Sequence, residues 1–467
     1  MDLPIAFENR MKRLLSTDYD AFLTALQKED AVKGLRVNTA KVSVEEFEAN
    51  SPFPLTPLPY VKGGYVVPDD AGAGKHPYHH AGAYYMQDPG AMATVAALPE
   101  GILDRPNLKI LDLCAAPGGK TTQLAAAVAP LGGAVLANEY VSSRSRILAG
   151  NVERMGLDNV CVTNLDSKFI ARDYPEFFDL VVVDAPCSGE GMFRKNDLAI
   201  SEWSPENVAM CARRQEEILE NARQCVAPGG YLLYSTCTYS TEENEEAVAK
   251  FLAAHPDLSL IPCNPAVVAC TADGIDVTEG SRPDLSLCRR FYPHVSPGEG
   301  QFVALLARVG EREDASRKKE SIPALSKPQQ IAADQCLKET LGHPLPALLL
   351  RNGYISAFPI LQRYPFPLPF KSVAVGVPLG EERKGRIVPH HHFFMRYGKE
   401  CVTQITLEPT DPRVLRYLAG EEIEIPANLK GYAALLLQIG DTALPLGGGK
   451  AVGGTLKNYY PKGLRVK

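Results

Sequence analysis

LKILDLCAAPGGKTTQLAAAV, residues 108–128, is the stretch whose reading decides the fold. LKILDLCAA is a continuous apolar run, the pattern of a strand covered on both faces. GGKTTQLAAAV has helical spacing, and a glycine turn separates the two. A strand that runs through a glycine loop into a helix is the first half of a βαβ unit. The alternation then continues. AVLANEY reads as a strand, SRSRILAGNVERMG as a helix, VCVTNLD and FDLVVVDAP as strands, and about 205–227 as a long helix. GGYLLYSTCTY and QFVALLARV follow as strands. Strands alternating with helices predict an α/β fold with a doubly wound parallel sheet.

Outward from this core the patterns change. In residues 1–40, FENRMKRLLSTDYDAFLTAL carries apolar residues at spacings of three and four, which predicts helix. The Pro/Gly-rich stretch from SPFPLTPLPY to DDAGAGKHPYHHAGAYYMQDPG predicts strands and loops. GEREDASRKKES, 310–321, is charged and aperiodic and predicts a linker. CVTQITL and AALLLQIG near the C-terminus predict short strands, with LGGGKAVGG as a glycine-rich turn. The expected domains are 1–100, an N-terminal α+β extension; 101–310, the doubly wound unit; 311–323, the linker; 324–400, a first C-terminal domain; and 401–467, a second.

A chain of 467 residues exceeds one ordinary core. No apolar run approaches the roughly 18 residues that cross a bilayer. MDLPIAFENRMKRLL lacks the apolar centre of a secretory signal, so a cytoplasmic protein with no membrane partner is expected. The 11 cysteines are odd in number and include no CxxC pair, the usage of reduced thiols and not of a disulfide framework or zinc site. With a net charge of −6, any RNA partner must be met by a local basic surface. The tail offers one: Lys450, Lys457, Lys462, Arg465 and Lys467, without an acid and with Tyr459 and Tyr460 interleaved. Such a run is more often a solvated terminus, but phosphate contacts plus stacking give it a mechanism. HHHFFMR, 390–396, has the same character or is a buried strand. Three consecutive histidines on a strand cannot face one ion, so no metal is expected.

Candidate chemistry gathers at the strand ends. Gly118 and Gly119 let a ligand approach the backbone at a helix N-terminus. Gly119-Lys120-Thr121 fits the end of a Walker loop, but its first glycine would fall at Cys114, and GxGxxG is absent. The doubly wound rule remains, with ligand at the carboxyl ends of the strands. Glu139, ending the second strand, suits ribose hydroxyls, and Asp166, ending the third, suits an adenine edge. Either alone is more often a solvated loop acid. Asp184 and Cys187 follow the fourth strand and Cys237 the fifth. Most free cysteines are small core residues. These two differ in leaving strands amid small polar residues, where cofactor and substrate meet. Two thiols and a carboxylate suit cytosine methylation. A thiolate adding to carbon 6 makes carbon 5 nucleophilic, and a second base removes the carbon-5 proton. The attacking thiol needs a nearby cation, for which Lys120 is the candidate. Spacing alone does not choose between the thiols.

LDLCAAPGGKT (111–121), DAPCSGEGMFRK (184–195), YSTCTYSTEENE (234–245) and PHVSPGEGQF (293–302) together resemble the Sun/Fmu-type RNA cytosine-5 methyltransferases, in particular the bacterial RsmF-like branch. GLRVNT (34–39) and YYMQDPGAM (84–92) resemble that family's approach segment, and GGTLKNYYPKGLR its PUA-like RNA-binding module. The resemblance implies a Rossmann-like methyltransferase sheet with a PUA-like C-terminal domain. It implies that Cys114, Ala115, Ala116, Pro117, Gly118, Gly119 and Lys120 hold S-adenosyl-L-methionine together with Glu139, Asp166 and Asp184. It makes Cys237 the nucleophile and Cys187 the group that assists release, with Asp184 contacting cofactor and cytosine. By analogy with DNA cytosine-5 methyltransferases, Cys187 would instead attack. The implied partner is ribosomal RNA, expected to be 16S, met by a monomer. Competing functions are a transfer-RNA cytosine-5 methyltransferase, a non-catalytic RNA-binding assembly factor, and a nucleotide hydrolase built on GGKT.

Overall fold

The computed structural model describes residues 2–27, 32–277, 284–311 and 324–466. Six strands form the centre of its largest sheet: β1 (Lys109–Asp112), β2 (Ala134–Asn138), β3 (Val160–Thr163), β4 (Phe178–Asp184), β5 (Val226–Thr236) and β6 (Gln301–Arg308). Their spatial order is β3-β2-β1-β4-β5-β6, parallel throughout except for β6, which runs antiparallel to β5. The helices that matter below are α1 (Gly119–Val128), α2 (Ser142–Met155), α3 (Pro205–Cys225) and α4 (Glu245–Ala254).

The strands read as unbroken apolar runs because both faces are covered. Ile110, Val135, Val160, Leu180 and Val182 enter one core, while Leu111, Leu136, Cys161, Val181 and Val183 enter the other. Each such side chain contributes about 1.5–3 kcal/mol on burial. The segment expected as the first C-terminal domain reaches back into this sheet. Ala374–Val375 pairs antiparallel with β3 and forms its edge.

Sequence and structure differ in four places outside the sheet. The N-terminal helices end at Leu26, and Lys33–Val37 is a strand paired with Gly64–Val67 and Tyr84–Met86. Long-range pairing overrides local periodicity there. LGGGKAVGG is not a turn as a whole, since the strand Thr442–Val452 runs through it and only Gly453–Gly454 make the bend, at φ +58° and +80°. A Cβ on Gly449 would fall on the Lys457 carbonyl, so glycine there admits the neighbouring strand. His391–Tyr397 is a helix capped by His390, not a strand. Tyr460 is 3% exposed and packs on His391 and Tyr417, so it cannot stack on RNA. The expected linker lies, from residue 312 to 323, outside the described residues. Residues of the N-terminal sheet, such as Leu35 and Tyr84, share one core with Ile405, Leu435 and Leu456 of the C-terminal sheet.

Candidate active site

Strand order reverses between β1 and β4, so the crevice of a doubly wound sheet opens at their carboxyl ends. The glycine loop sits there. Gly118, at φ +113°, is the N-cap of α1 and leaves its first amides without a side-chain cap. The loop carbonyls are tied down from behind. Arg144 Nη2 donates to Ala116 O at 2.8 Å and Asn151 Nδ2 to Pro117 O at 2.9 Å. From the N-terminal sheet, buried Arg36 donates to Gly119 O at 3.1 Å and Thr122 Oγ1 at 2.9 Å. The GLRVNT segment thus fixes the start of α1.

Acids line the crevice at successive strand ends. Asp112 is fully buried. Its Oδ2 accepts from Thr121 Oγ1 at 2.6 Å, its Oδ1 has no partner among the described residues, and burial pushes the carboxyl up to about 7. Burial, with Asp112 and Asp184 adding to it, also pushes the Cys114 thiol up. Glu139 is 4% exposed and accepts from the Val141 N–H at 2.8 Å, with Arg144 Nη1 at 3.6 Å. Asp166 caps the helix after β3, accepting from the Lys168 N–H at 3.0 Å. A cavity of about 780 Å³ adjoins it, walled by Tyr140, Phe169, Arg172 and Phe370. An unpartnered buried carboxylate oxygen, a glycine-started helix and a carboxylate with acceptor capacity to spare fit a ligand carrying a cation and a diol.

The two thiols meet on the other side of the switch point. Cys187 Sγ lies 3.1 Å from Cys237 Sγ, and the Cys237 N–H points at Cys187 Sγ at 3.4 Å. All eleven cysteines are free thiols. The hydrogen bond to Cys237 and burial push the Cys187 thiol well up, and the nearby Glu243 adds to this. Lys120, expected to stand beside a thiol, instead pairs with Asp184, Nζ to Oδ2 at 2.8 Å. The other Asp184 oxygen accepts from Ser235 Oγ at 2.7 Å and Gln301 Nε2 at 3.3 Å. The acid at the end of β4 is therefore held by three donors from three elements.

Sequence reasoning missed the groups behind the thiols. Glu243 and Asn244 are fully buried and bond to the turns that carry Cys187 and Cys237. They lie within YSTCTYSTEENE, a motif that carries the resemblance but in which neither residue was given a role. The two N-terminal helices pack behind the same turns, with Phe22 edge-on to Tyr239 at 5.1 Å.

Family models match three segments of the chain. The family model for the N-terminal domain of 16S rRNA methyltransferase RsmF matches residues 3–89, that for 16S rRNA methyltransferase RsmB/F matches 102–307, and that for the RsmF PUA domain matches 404–466. A ribosomal RNA small subunit methyltransferase F from Klebsiella pneumoniae is 31% identical over 484 residues, covering 99% of this chain and 96% of that protein. The chain belongs to the RsmF family of 16S rRNA methyltransferases. An RsmF from Serratia proteamaculans is 36% identical over 339 residues, which cover 70% of this chain and 65% of that protein, just under two thirds of its length. A solved methyltransferase homolog from Pyrococcus horikoshii is 26% identical at a TM-score of 0.56, over 65% of this chain and 95% of that one. NSun6 from Pyrococcus horikoshii, solved with SFG, shares the fold at a TM-score of 0.52 and 21% identity, over 66% of this chain and 99% of that one. Among the described residues no helix is long and apolar enough to cross a membrane.

Proposed function

We propose that this RsmF-family chain transfers a methyl group from S-adenosyl-L-methionine to carbon 5 of a cytosine in 16S ribosomal RNA, in the cytoplasm, through a covalent cysteine–RNA adduct. The observation that carries this is the pair of sulfurs 3.1 Å apart beside the Lys120–Asp184 ion pair, at the carboxyl edge of a doubly wound sheet. When bound, S-adenosyl-L-methionine supplies an electrophilic methyl group. The run Cys114–Lys120, with Asp112, Glu139, Asp166 and Asp184, would hold it.

The chain's residues divide the remaining work. Cys237 attacks carbon 6 of the flipped-out base, forming a carbon–sulfur bond and making carbon 5 nucleophilic. A Cys187 thiol raised by its hydrogen bond to Cys237 and by burial stays protonated before attack and can donate its S–H to the attacking sulfur. Asp184 and Lys120 hold the ring and offset charge as the adduct forms. Once carbon 6 holds the Cys237 sulfur, the Cys187 thiol passes its own proton to solvent, and after carbon 5 is methylated the Cys187 thiolate takes the carbon-5 proton directly or through one water. The carbon–sulfur bond then breaks and the ring double bond returns. The basic surface of the C-terminal domain, with Lys450, Lys457 and Lys462 exposed, engages phosphates.

The test is tritiated methyl transfer from S-adenosyl-L-methionine to small-subunit RNA from cells lacking the gene, with the product mapped by bisulfite sequencing. One or more 5-methylcytosines in 16S rRNA are expected. Incorporation into transfer RNA alone, or into no RNA, contradicts the proposal.

A further inference from the structure

Cys187 and Cys237 sit on separate turns 50 residues apart in sequence. Two sulfurs that act in succession on adjacent ring carbons need a fixed separation, and turns alone do not supply one. What holds them is a pair of consecutive residues at the entrance to α4.

Glu243 reaches the Cys187 turn. Its Oε2 accepts from the Ser188 N–H at 2.9 Å, and its Oε1 accepts from the Ser188 hydroxyl. Gln215 of α3 donates from Nε2 to Glu243 Oε2 at 2.8 Å and to Pro186 O at 3.0 Å, so both neighbours of Cys187 are tied to one unit. Asn244 reaches the Cys237 turn. Its Oδ1 accepts from Thr236 Oγ1 at 2.6 Å and its Nδ2 donates to Thr238 O at 3.0 Å, so both neighbours of Cys237 are tied as well. Ser188 Oγ and Thr238 Oγ1, 2.9 Å apart, link the two halves. Tyr234 of β5 donates to the Glu243 carbonyl at 2.6 Å and fixes the unit to the sheet. Both residues are 0% exposed. A buried carboxyl with this many donors is a structural anchor and not a solvated surface acid.

We propose that Glu243 and Asn244 form a positioning clamp that sets the separation of the two sulfurs, Glu243 holding the Cys187 turn and Asn244 the Cys237 turn. Neither needs to touch the base. This rests on the roles proposed above for the two thiols. It goes further in assigning each clamp residue to one step, Asn244 to adduct formation and Glu243 to release. Glu243→Gln conserves shape but turns an amide against the Ser188 and Gln215 donors, so the Cys187 turn loosens. A displacement of about 1 Å in a reacting group lowers turnover on the order of 10²-fold.

The experiment measures steady-state methyl transfer and the covalent protein–RNA adduct on a denaturing gel, with the full chain, S-adenosyl-L-methionine and small-subunit RNA. Glu243→Gln is expected to lower kcat about 10²-fold, leave KM for RNA within about twofold, and raise the fraction of protein trapped as adduct. Asn244→Ser is expected to lower kcat similarly while the adduct fraction falls. Glu216→Gln, a surface acid paired with Lys250, serves as a parent-like control. If Glu243→Gln does not fold, Ser188→Ala removes the hydroxyl half of the same contact and should shift the adduct in the same direction. If Asn244→Ser does not fold, Thr236→Val removes its partner hydroxyl and should lower the adduct. Parent-like kcat in both clamp variants, a change in KM alone, or the same direction of adduct change in both overturns the clamp. If Cys187→Ser itself traps no adduct, the thiol roles are wrong. The clamp is then judged on kcat alone, an unchanged value overturning it and a loss supporting it.

Discussion

The carboxyl edge of the central sheet and the C-terminal domain both draw on tyrosine, lysine and small polar groups, used in opposite ways. At the edge, hydroxyls, amides and carboxyls turn toward a crevice and hold each other there: Ser235 and Gln301 on Asp184, Ser188 on Glu243, Thr236 on Asn244. In the C-terminal domain the same groups turn inward. Tyr417 donates to Gly448 O at 2.8 Å, Tyr460 faces His80 Nδ1 at 3.1 Å, and burial pushes His391 down to about 3 and His390 to about 4, so neither carries charge at neutral pH. A run of tyrosines and cations in sequence is therefore not itself a stacking surface. What distinguishes the regions is place, one lying where parallel strands end at a switch point and the other where two sheets share a core.

This contrast yields predictions of decreasing size. Cys237→Ser should lower methyl transfer by at least about 10⁴-fold, since Cys237 is the sulfur assigned to form the adduct. Asp184→Asn leaves the Lys120 ammonium, 8% exposed, without its carboxylate, and turnover should fall about 10²–10³-fold with a lower melting temperature. A parent-like rate in either would remove the distinction between edge and core. Asp112 gives a subtler signature. Its folded carboxyl is raised from 3.8 to about 7, so the proton it retains stabilises the folded state below pH 3.8, and that contribution is lost as pH rises to about 7. Asp112→Asn should flatten the stability profile in this window by one proton, about 1.4 kcal/mol per pH unit. Chemical denaturation at pH 4, 5.5 and 7 measures it, and identical slopes would contradict the raised value. In the C-terminal domain, Tyr460→Phe should cost about 1 kcal/mol and leave RNA affinity unchanged, whereas Lys457→Ala should reduce the salt slope of RNA binding by about 0.7–0.9. The reverse result would return the tail tyrosine to the RNA surface.

How much of this was legible follows from the same physics. Buried parallel strands are continuous apolar runs, so β1 to β5 announce themselves, and a residue just past a strand end is placed by its position in sequence. That is why Glu139, Asp166, Asp184, Cys187 and Cys237 could be assigned to one edge. Pairing between distant segments has no such local mark. Lys33–Val37 takes its conformation from residues 64–67 and 84–86, and Leu35 shares a core with Leu456. Glu243 and Asn244 were hidden differently. Acids and amides in a row read as solvated unless the donors that surround them are known, and those donors come from α3 and from the loop after β4. The pairing of Lys120 with Asp184 was not foreseen, because one residue's distance along a helix does not reveal which of several nearby groups its flexible side chain will meet.

The order in which the two sulfurs act is tested most directly by trapping. Cys187→Ser and Cys237→Ser are each incubated with S-adenosyl-L-methionine and unmodified small-subunit RNA and run on a denaturing gel. The Cys187 variant should form the adduct and fail to release it, giving a band of retarded protein that nuclease removes, and the Cys237 variant should give none. A retarded band from Cys237→Ser, with none from Cys187→Ser, would assign the attack to the other sulfur and contradict the account.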